Sequence, residues 1–174
     1  AKKEIKNCLS NNNGRKPIVV SVELKDKVIG FAFGTLIETS NLLASLDMPH
    51  NLDEDEKLTG LKVTNYFLTK VSKTNKILLI RELAVLKKYR DNLASFLCYP
   101  IYQYAYNNGY NKAIYWTNIY SKGFKLGLMM GWYPIHFFIK NELVIIQGSI
   151  ASAIKLINSY LTSSKSKAIY KKTY

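Results

Sequence analysis

The sequence predicts a single domain of α/β (α+β) class, and three observations carry that reading. Two β-branched runs, 18–24 and 28–36, flank the turn Lys25-Asp26-Lys27 and read as a hairpin. A long apolar strand, 76–86, runs into the basic loop Lys87-Lys88-Tyr89-Arg90 and then into a helix of about 91–108. A strand at 112–117, a short helix at 121–130, a second hairpin (133–139 and 143–147) and an amphipathic helix at 150–161 complete the order. With 174 residues, 48% of them apolar and 21% charged, the chain has the size and composition of one domain with a buried core.

Each element has a local cause. Residues 1–17 are a polar lead-in punctuated by Asn11-Asn12-Asn13-Gly14. Gly30 and Gly34 weaken the second strand slightly and permit close approach of another backbone. Residues 51–57 read as a charged loop holding Asp53, Glu54, Asp55 and Glu56. Periodicity leaves 61–71 open between a strand and a short helix. In the strand 76–86 only Arg81 and Glu82 interrupt the apolar run. The following helix keeps Leu93, Phe96, Leu97, Ile101, Tyr104 and Ala105 at helical spacing, with Asp91 to cap its start, Gly109 to end it and Pro100 to kink it. Gly131 closes the short helix, and Lys140-Asn141-Glu142 turns the second hairpin. Ile150, Ala153, Ile154, Ile157 and Leu161 form the apolar stripe of the last helix. The domain is thus expected to span 1–161, with 162–174 a basic, flexible tail.

The net charge of +13 is unevenly placed. Residues 1–56 carry seven Lys/Arg against nine Asp/Glu. Residues 57–174 carry eighteen against three (Glu82, Asp91, Glu142). A basic surface of this kind favours a polyanionic partner: nucleic acid, an anionic membrane surface, a phosphorylated cofactor or an acidic protein. No apolar run is long enough to cross a bilayer, and the first residues do not form an apolar signal segment. Two cysteines, Cys8 and Cys98, are too few for a disulfide scaffold and suit a reducing cytoplasm. Asp47, His50 and Asp53 are the one grouping with metal-ligand chemistry, and no metal is expected there.

A strand that runs through a basic loop into a helix N-terminus can hold phosphate, because the free N–H groups of the first turn point outward and the helix dipole favours negative charge. Here Lys87, Lys88 and Arg90 add Coulomb attraction. The stretch Glu82-Leu83-Ala84-Val85-Leu86-Lys87-Lys88-Tyr89-Arg90 resembles the acyl-CoA motif of the GNAT superfamily of N-acyltransferases, a strand ending in E-L-A-V-x-P-x-Y-R that continues as (Q/R)-x-x-G-x-(G/A). Gly131-Trp132 resembles the Gly-aromatic pair that closes the superfamily's short helix. The resemblance covers roughly 18–148. It implies a GNAT-like mixed, mostly antiparallel, twisted sheet flanked by helices, its central strand splayed from its neighbour. The chain departs from the pattern in four ways. Leu93 stands where a glycine belongs, although Ser95 is suitably small. Asp91 adds a carboxylate to the first turn. The lead-in is too short for the usual opening strand and helix pair. Gly127 stands where such enzymes often carry a general-acid tyrosine.

The run Arg81-Glu82-Leu83-Ala84-Val85, with Ile101-Tyr102-Gln103-Tyr104-Ala105 ahead of Asn108-Gly109-Tyr110, resembles a branch of that superfamily: the acyl-homoserine-lactone synthases and the N-acyl amino acid synthases. Those relatives can take the acyl chain from acyl carrier protein, an acidic partner for a basic surface.

The resemblance implies acyl transfer from a pantetheine thioester, either acyl-CoA or phosphopantetheine on a carrier, to an amine by direct aminolysis. It places pantetheine against Leu83, Ala84 and Val85 and phosphate against Lys87, Lys88, Arg90, Asp91, Asn92, Leu93, Ala94 and Ser95. The Val85 N–H would stabilise the oxyanion. Glu82, the strand's only carboxylate, is the candidate base, or else the partner of Arg81 or another cation. Tyr120 or Tyr115 would protonate the leaving thiolate. Trp116, Phe137 and Phe138 are candidates for an acyl pocket or for the core. The readings set against the enzyme are a GNAT-like fold without catalysis and a basic nucleic-acid-binding module, the latter resting on the tyrosine-rich segment 99–120.

Overall fold

The computed structural model describes residues 16–38, 48–49 and 51–162. The lead-in before Lys16, Cys8, the candidate ligands Asp47 and His50, and the tail beyond Thr162 lie outside the described residues.

Strand β1 (Lys16–Leu24) pairs antiparallel with β2 (Lys27–Glu38). The two turn residues, Lys25 and Asp26, both have positive φ (51° and 59°), the conformation that matches the twist of a two-residue hairpin. The segment expected as a charged loop is instead the start of a helix. Asp53 accepts a hydrogen bond from the Glu56 N–H (2.8 Å), and the Glu56 carboxylate accepts one from the Asp53 N–H (3.2 Å). This reciprocal cap opens helix α1 (Glu54–Tyr66), with Glu54, Asp55 and Glu56 at the positive end of its dipole. The helix continues into a π-turn, Phe67–Val71, which resolves 61–71 as helical.

Strand β3 (Lys76–Val85) leads through a 3₁₀ turn (Lys87–Tyr89) into α2 (Arg90–Asn107). The helix begins one residue earlier than expected. Tyr89 takes the N-cap position without a side-chain cap, so Asp91 is not the cap. The helix continues through the exposed Pro100. Strand β4 (Lys112–Asn118), α3 (Lys122–Met129), β5 (Tyr133–Phe138), β6 (Leu143–Ser149) and α4 (Ile150–Thr162) follow in the expected order. Gly109 and Gly131, with φ of 81° and 73°, end α2 and α3 in the left-handed conformation that helix termination favours.

The six strands form one mixed sheet in the order β1-β2-β3-β4-β6-β5, antiparallel throughout except for the parallel pair β3 and β4. Two cores sandwich it. On one face α2 and α4 bury Leu97, Ile101, Tyr102 and Ile157 against Ala32, Leu78 and Ile146. On the other, Leu68, Leu52 and Met48 pack with Ile77, Leu79, Ile114 and Phe138. Asn141 in the β5–β6 connection donates to the Glu56 carboxylate (3.0 Å), tying the start of α1 to that hairpin.

The Trp132 ring lies flat on Gly148 of β6, and its Nε1–H donates to the Ser149 carbonyl (2.9 Å). A β-carbon at 148 would overlap the ring atoms. Overpacking of this kind costs about 1–3 kcal/mol. We expect Gly148→Ala to lower the unfolding free energy by about 2 kcal/mol, read as an earlier urea midpoint at unchanged m-value.

Candidate active site

Backbone pairing determines where a cleft opens. β3 and β4 share only three residue pairs, Ile77 with Lys112, Leu78 with Ala113 and Leu79 with Ile114. Beyond them the strands part. Just past that point β3 carries a bulge: Phe33 of β2 faces Glu82 and Gly34 faces Ile80, so Arg81 is the extra residue. Arg81 stacks over the Phe33 ring (5.7 Å), and Glu82 pairs with the same Phe33. The bulge therefore turns both charged side chains toward one face, the α1 side. Leu83 and Val85, opposite Ala32 and Gly30, turn toward α2.

The same register fixes the amides. The Leu86 N–H donates to the Ile29 carbonyl (2.9 Å). Hydrogen-bonded and non-hydrogen-bonded pairs alternate along an antiparallel ladder. Val85 and Leu83 thus point their N–H groups away from β2, into the gap that β4 has left. Ala84 differs from the sequence expectation, because its amide turns to Phe31 of β2 and is closed to a ligand in the gap.

The gap is a cleft of about 330 Å³. Arg81, Glu82 and Trp116 line it toward the α1 side. Cys98, Tyr102, Tyr115, Leu126 and Met130 line it among α2, α3 and β4. It therefore opens to both faces of the sheet. Lys87 and Lys88 are exposed in the 3₁₀ turn after β3, with the Lys88 ammonium 4.7 Å from the centre of the Tyr89 ring; the cleft's own lining ends at Leu83 on β3 and begins at Cys98 on α2. The Arg90 Nε–H donates to the Val85 carbonyl (3.1 Å), tethering the guanidinium to the end of β3. Asp91, Asn92, Leu93, Ala94 and Ser95 form the first turns of α2. Leu93, the residue in the expected glycine position, packs against the first core.

The tyrosines divide clearly. Tyr120 is 71% exposed on the turn after β4 and does not line the cleft. Tyr115 does. Its hydroxyl donates to the Gly123 carbonyl (2.8 Å) and occupies the space a β-carbon on Gly127 would need. Burial pushes the Tyr115 hydroxyl well above the ordinary phenol range, and Cys98 adds to the shift. Trp116 borders the cleft, Phe138 is buried in the second core, and Phe137 is exposed on β5. Sequence reasoning missed Tyr102, Leu126 and Met130 as cleft residues. Tyr102 lies one turn beyond Cys98 on the buried stripe of α2, a signal that marks core and cleft alike. Among the described residues no three His, Cys, Asp or Glu side chains converge as a metal site. No described helix is long and apolar enough to cross a membrane.

No protein-family model and no curated protein matches the chain. Solved structures do. A ligand-free agmatine N-acetyltransferase mutant superposes with a TM-score of 0.57 at 11% identity, over 86% of this chain and 83% of its own. Arabidopsis thaliana NAA60 in complex with acetyl-CoA gives 0.53 at 12% identity (87% and 84%). Arylalkylamine N-acetyltransferase 2 from Aedes aegypti gives 0.53 at 16% (86% and 80%). The chain has the GNAT fold. Within the GNAT fold, the parted strands, the bulge and the basic turn before α2 lie where the sequence resemblance implied a splayed central strand.

Cys98 tests the dryness of the cleft floor. Burial pushes its thiol up to about 12, against the lowering effect of a hydrogen bond with Tyr102. At pH 8 the thiolate fraction is then about a thousandfold below that of an ordinary cysteine. We expect the Cys98 peptide to be alkylated about a thousandfold more slowly in the folded protein than in urea, as followed by mass spectrometry.

Proposed function

We propose that the protein is an N-acyltransferase. It moves an acyl group from a pantetheine thioester, on CoA or on an acyl carrier protein, to an amine acceptor by direct aminolysis. The parting of β3 from β4 carries this reading: beyond three shared pairs the register turns the Leu83 and Val85 amides away from β2, toward the side that β4 has left. An extended pantetheine arm bonds to such an edge as an added strand does. Lys87, Lys88, Arg90 and the first turn of α2 receive its phosphate. The fold neighbours add support, since one holds acetyl-CoA and two are named for amine acceptors.

The chemistry divides between the faces of the sheet. The amine enters from the α1 side, where Glu82 takes a proton as nitrogen attacks the thioester carbon. The Val85 N–H holds the oxyanion. As the C–S bond breaks, sulfur takes through water the proton that Glu82 received, since the Tyr115 hydroxyl is committed to the Gly123 carbonyl. In net terms the proton lost by the amine ends on the thiol.

The basic turn before α2 suits either donor, and the strong acidity of carrier proteins would speed their encounter with it. The two cysteines, with Cys98 a buried free thiol, suit a reducing compartment, and a cytoplasmic location is part of this reading. Release of free thiol from acetyl-CoA, long-chain acyl-CoA and acyl-loaded carrier protein, against a panel of amines, tests the proposal. Turnover with any donor supports it, and turnover with carrier alone selects the carrier branch. No turnover, together with salt-sensitive RNA binding, supports a nucleic-acid-binding module instead. We expect Glu82→Gln to lower kcat by about 10²- to 10⁴-fold with little change in donor affinity. Unchanged turnover removes Glu82 from the mechanism.

A further inference from the structure

Carboxylates and cations are segregated along the strands. The register gathers Lys16, Glu38, Lys76 and Lys112 at one end of the sheet. Glu38 pairs with Lys76, Lys16 pairs with Leu36, and Lys112 pairs with Ile77. Helix α2 ends there at Asn107, and α4 begins there, its Ile150 N–H donating to the Asn111 carbonyl (3.0 Å). Lys73, exposed on the turn before β3, adds a further cation. Among the described residues Glu38 is the one carboxylate at this end. Glu23 and Asp26 adjoin the β1–β2 turn, Glu82 and Asp91 lie in and after the far half of β3, and the acidic group 53–56 and Glu142 lie at the β5–β6 connection.

Tyrosines are interleaved with these cations. The Lys16 ammonium is 5.0 Å from the centre of the Tyr104 ring, and the Lys76 ammonium 5.5 Å from that of Tyr110. Strand alternation turns Lys16 and Lys76 to the α2 face, with Ile18 and Leu78. Lys16, Glu38 and Tyr104 all act electrostatically on Tyr110, so the two pairs are neighbours. On the other flank of α2, Gln103, Tyr106 and Asn107 face Ile154 and Lys155 of α4 across a groove of about 440 Å³. Its walls are tied together, because the Tyr99 hydroxyl donates to Asn158 Oδ1 (2.6 Å) and accepts from Gln103 Nε2 (2.9 Å). Tyr104 is 38% exposed and Tyr106 46%.

We propose that this end of the molecule is a binding surface for single-stranded nucleic acid, with bases stacked on Tyr104 and Tyr106 and phosphates paired with Lys16, Lys76 and Lys155. Every base has a π-face, so exposed rings hold a strand without reading its sequence, and lysines beside the rings meet the phosphates between the bases. A duplex hides the faces of its bases. An anionic bilayer calls for aliphatic groups that insert. On this face the exposed apolar side chains are rings, whereas the exposed Leu24, Val28 and Leu86 lie at the other end of the sheet. The cleft lies in the other half of β3, lined from Ile80 to Leu83, so strand binding here is separate from acyl transfer.

Fluorescence anisotropy of labelled oligouridylate and oligodeoxythymidylate of about 12 nucleotides, titrated with the full chain at stepped KCl concentrations, tests the surface. We expect single strands to bind at least tenfold more tightly than a duplex of the same length. Binding of either strand supports the surface, and the tighter identifies the source as RNA or DNA. Tyr104→Ala and Tyr106→Ala should each weaken binding about tenfold, and phenylalanine at either position should restore it. The double change Lys16→Gln with Lys76→Gln should lower the slope of log K against log salt by about 1.4. Glu38→Gln should tighten binding about threefold. A duplex bound as tightly as the strands, or affinity that both alanine variants leave unchanged, overturns the stacking surface. Phosphatidylserine vesicles bound in place of either strand overturn it in favour of a membrane surface. Thiol release should be unchanged in every variant. Absence of strand binding overturns this surface whatever thiol release shows, and strand binding without thiol release overturns the donor reading alone.

Discussion

The structure depends on the short parallel ladder between β3 and β4. Three pairs hold the two strands together, and then the bulge at Arg81 and the packing of α2 and α3 keep them apart. A strand edge released in the middle of a sheet has backbone N–H groups that must be satisfied by water or by a ligand. β2 claims one set of β3 amides, and the alternation of the antiparallel ladder leaves the other set facing the gap. Tyr102, Tyr115 and Trp132 make ring contacts in the core on the α2 face beside the gap. The opening therefore belongs to the fold itself.

The bulge also separates two chemical environments. Without it Arg81 and Glu82 would point to opposite faces, and one charge would enter the apolar space beneath α2. With it both lie on the α1 side, and the α2 side of the cleft keeps side chains whose hydrogen bonds are internally closed. The uneven charge along the sequence is resolved in the same geometry. The acidic group 53–56 forms the start of α1 beside the β5–β6 connection, and Lys87, Lys88 and Arg90 follow the end of β3; the pairing of Asn118 with Leu143 puts both groups at the same end of the parallel strands.

Most of the architecture was legible because its signals are local. β-branched runs, helical spacing, Gly109 and Gly131 as helix ends, and the strand-loop-helix at 76–108 all depend on neighbours within a few residues. The start of α1 was equally local: Asp53 followed three residues later by Glu56 is a capping box, and density of charge concealed it as a loop. The bulge, by contrast, depends on registration between β2 and β3. Nothing in the run from Ile80 to Glu82 indicates that one residue is supernumerary. Leu93 was compared with a glycine in a phosphate loop, yet its place is set by the core that α2 covers.

Tyr115 and Gly127 show why the chemistry was harder to read than the fold. Taken locally, a glycine inside a helix is a weakness of about 1 kcal/mol, and the resemblance reads it as a missing tyrosine. In space it is a hole that the hydroxyl of a residue twelve positions earlier fills from the adjoining strand. The two departures thus compensate. A side chain at 127 would evict the Tyr115 hydroxyl, and Tyr115 keeps a phenol beside the cleft although α3 carries none. A motif records which residue occupies a position, whereas the shape of a cleft depends on where the atoms lie, and here the phenol oxygen beside α3 comes from β4.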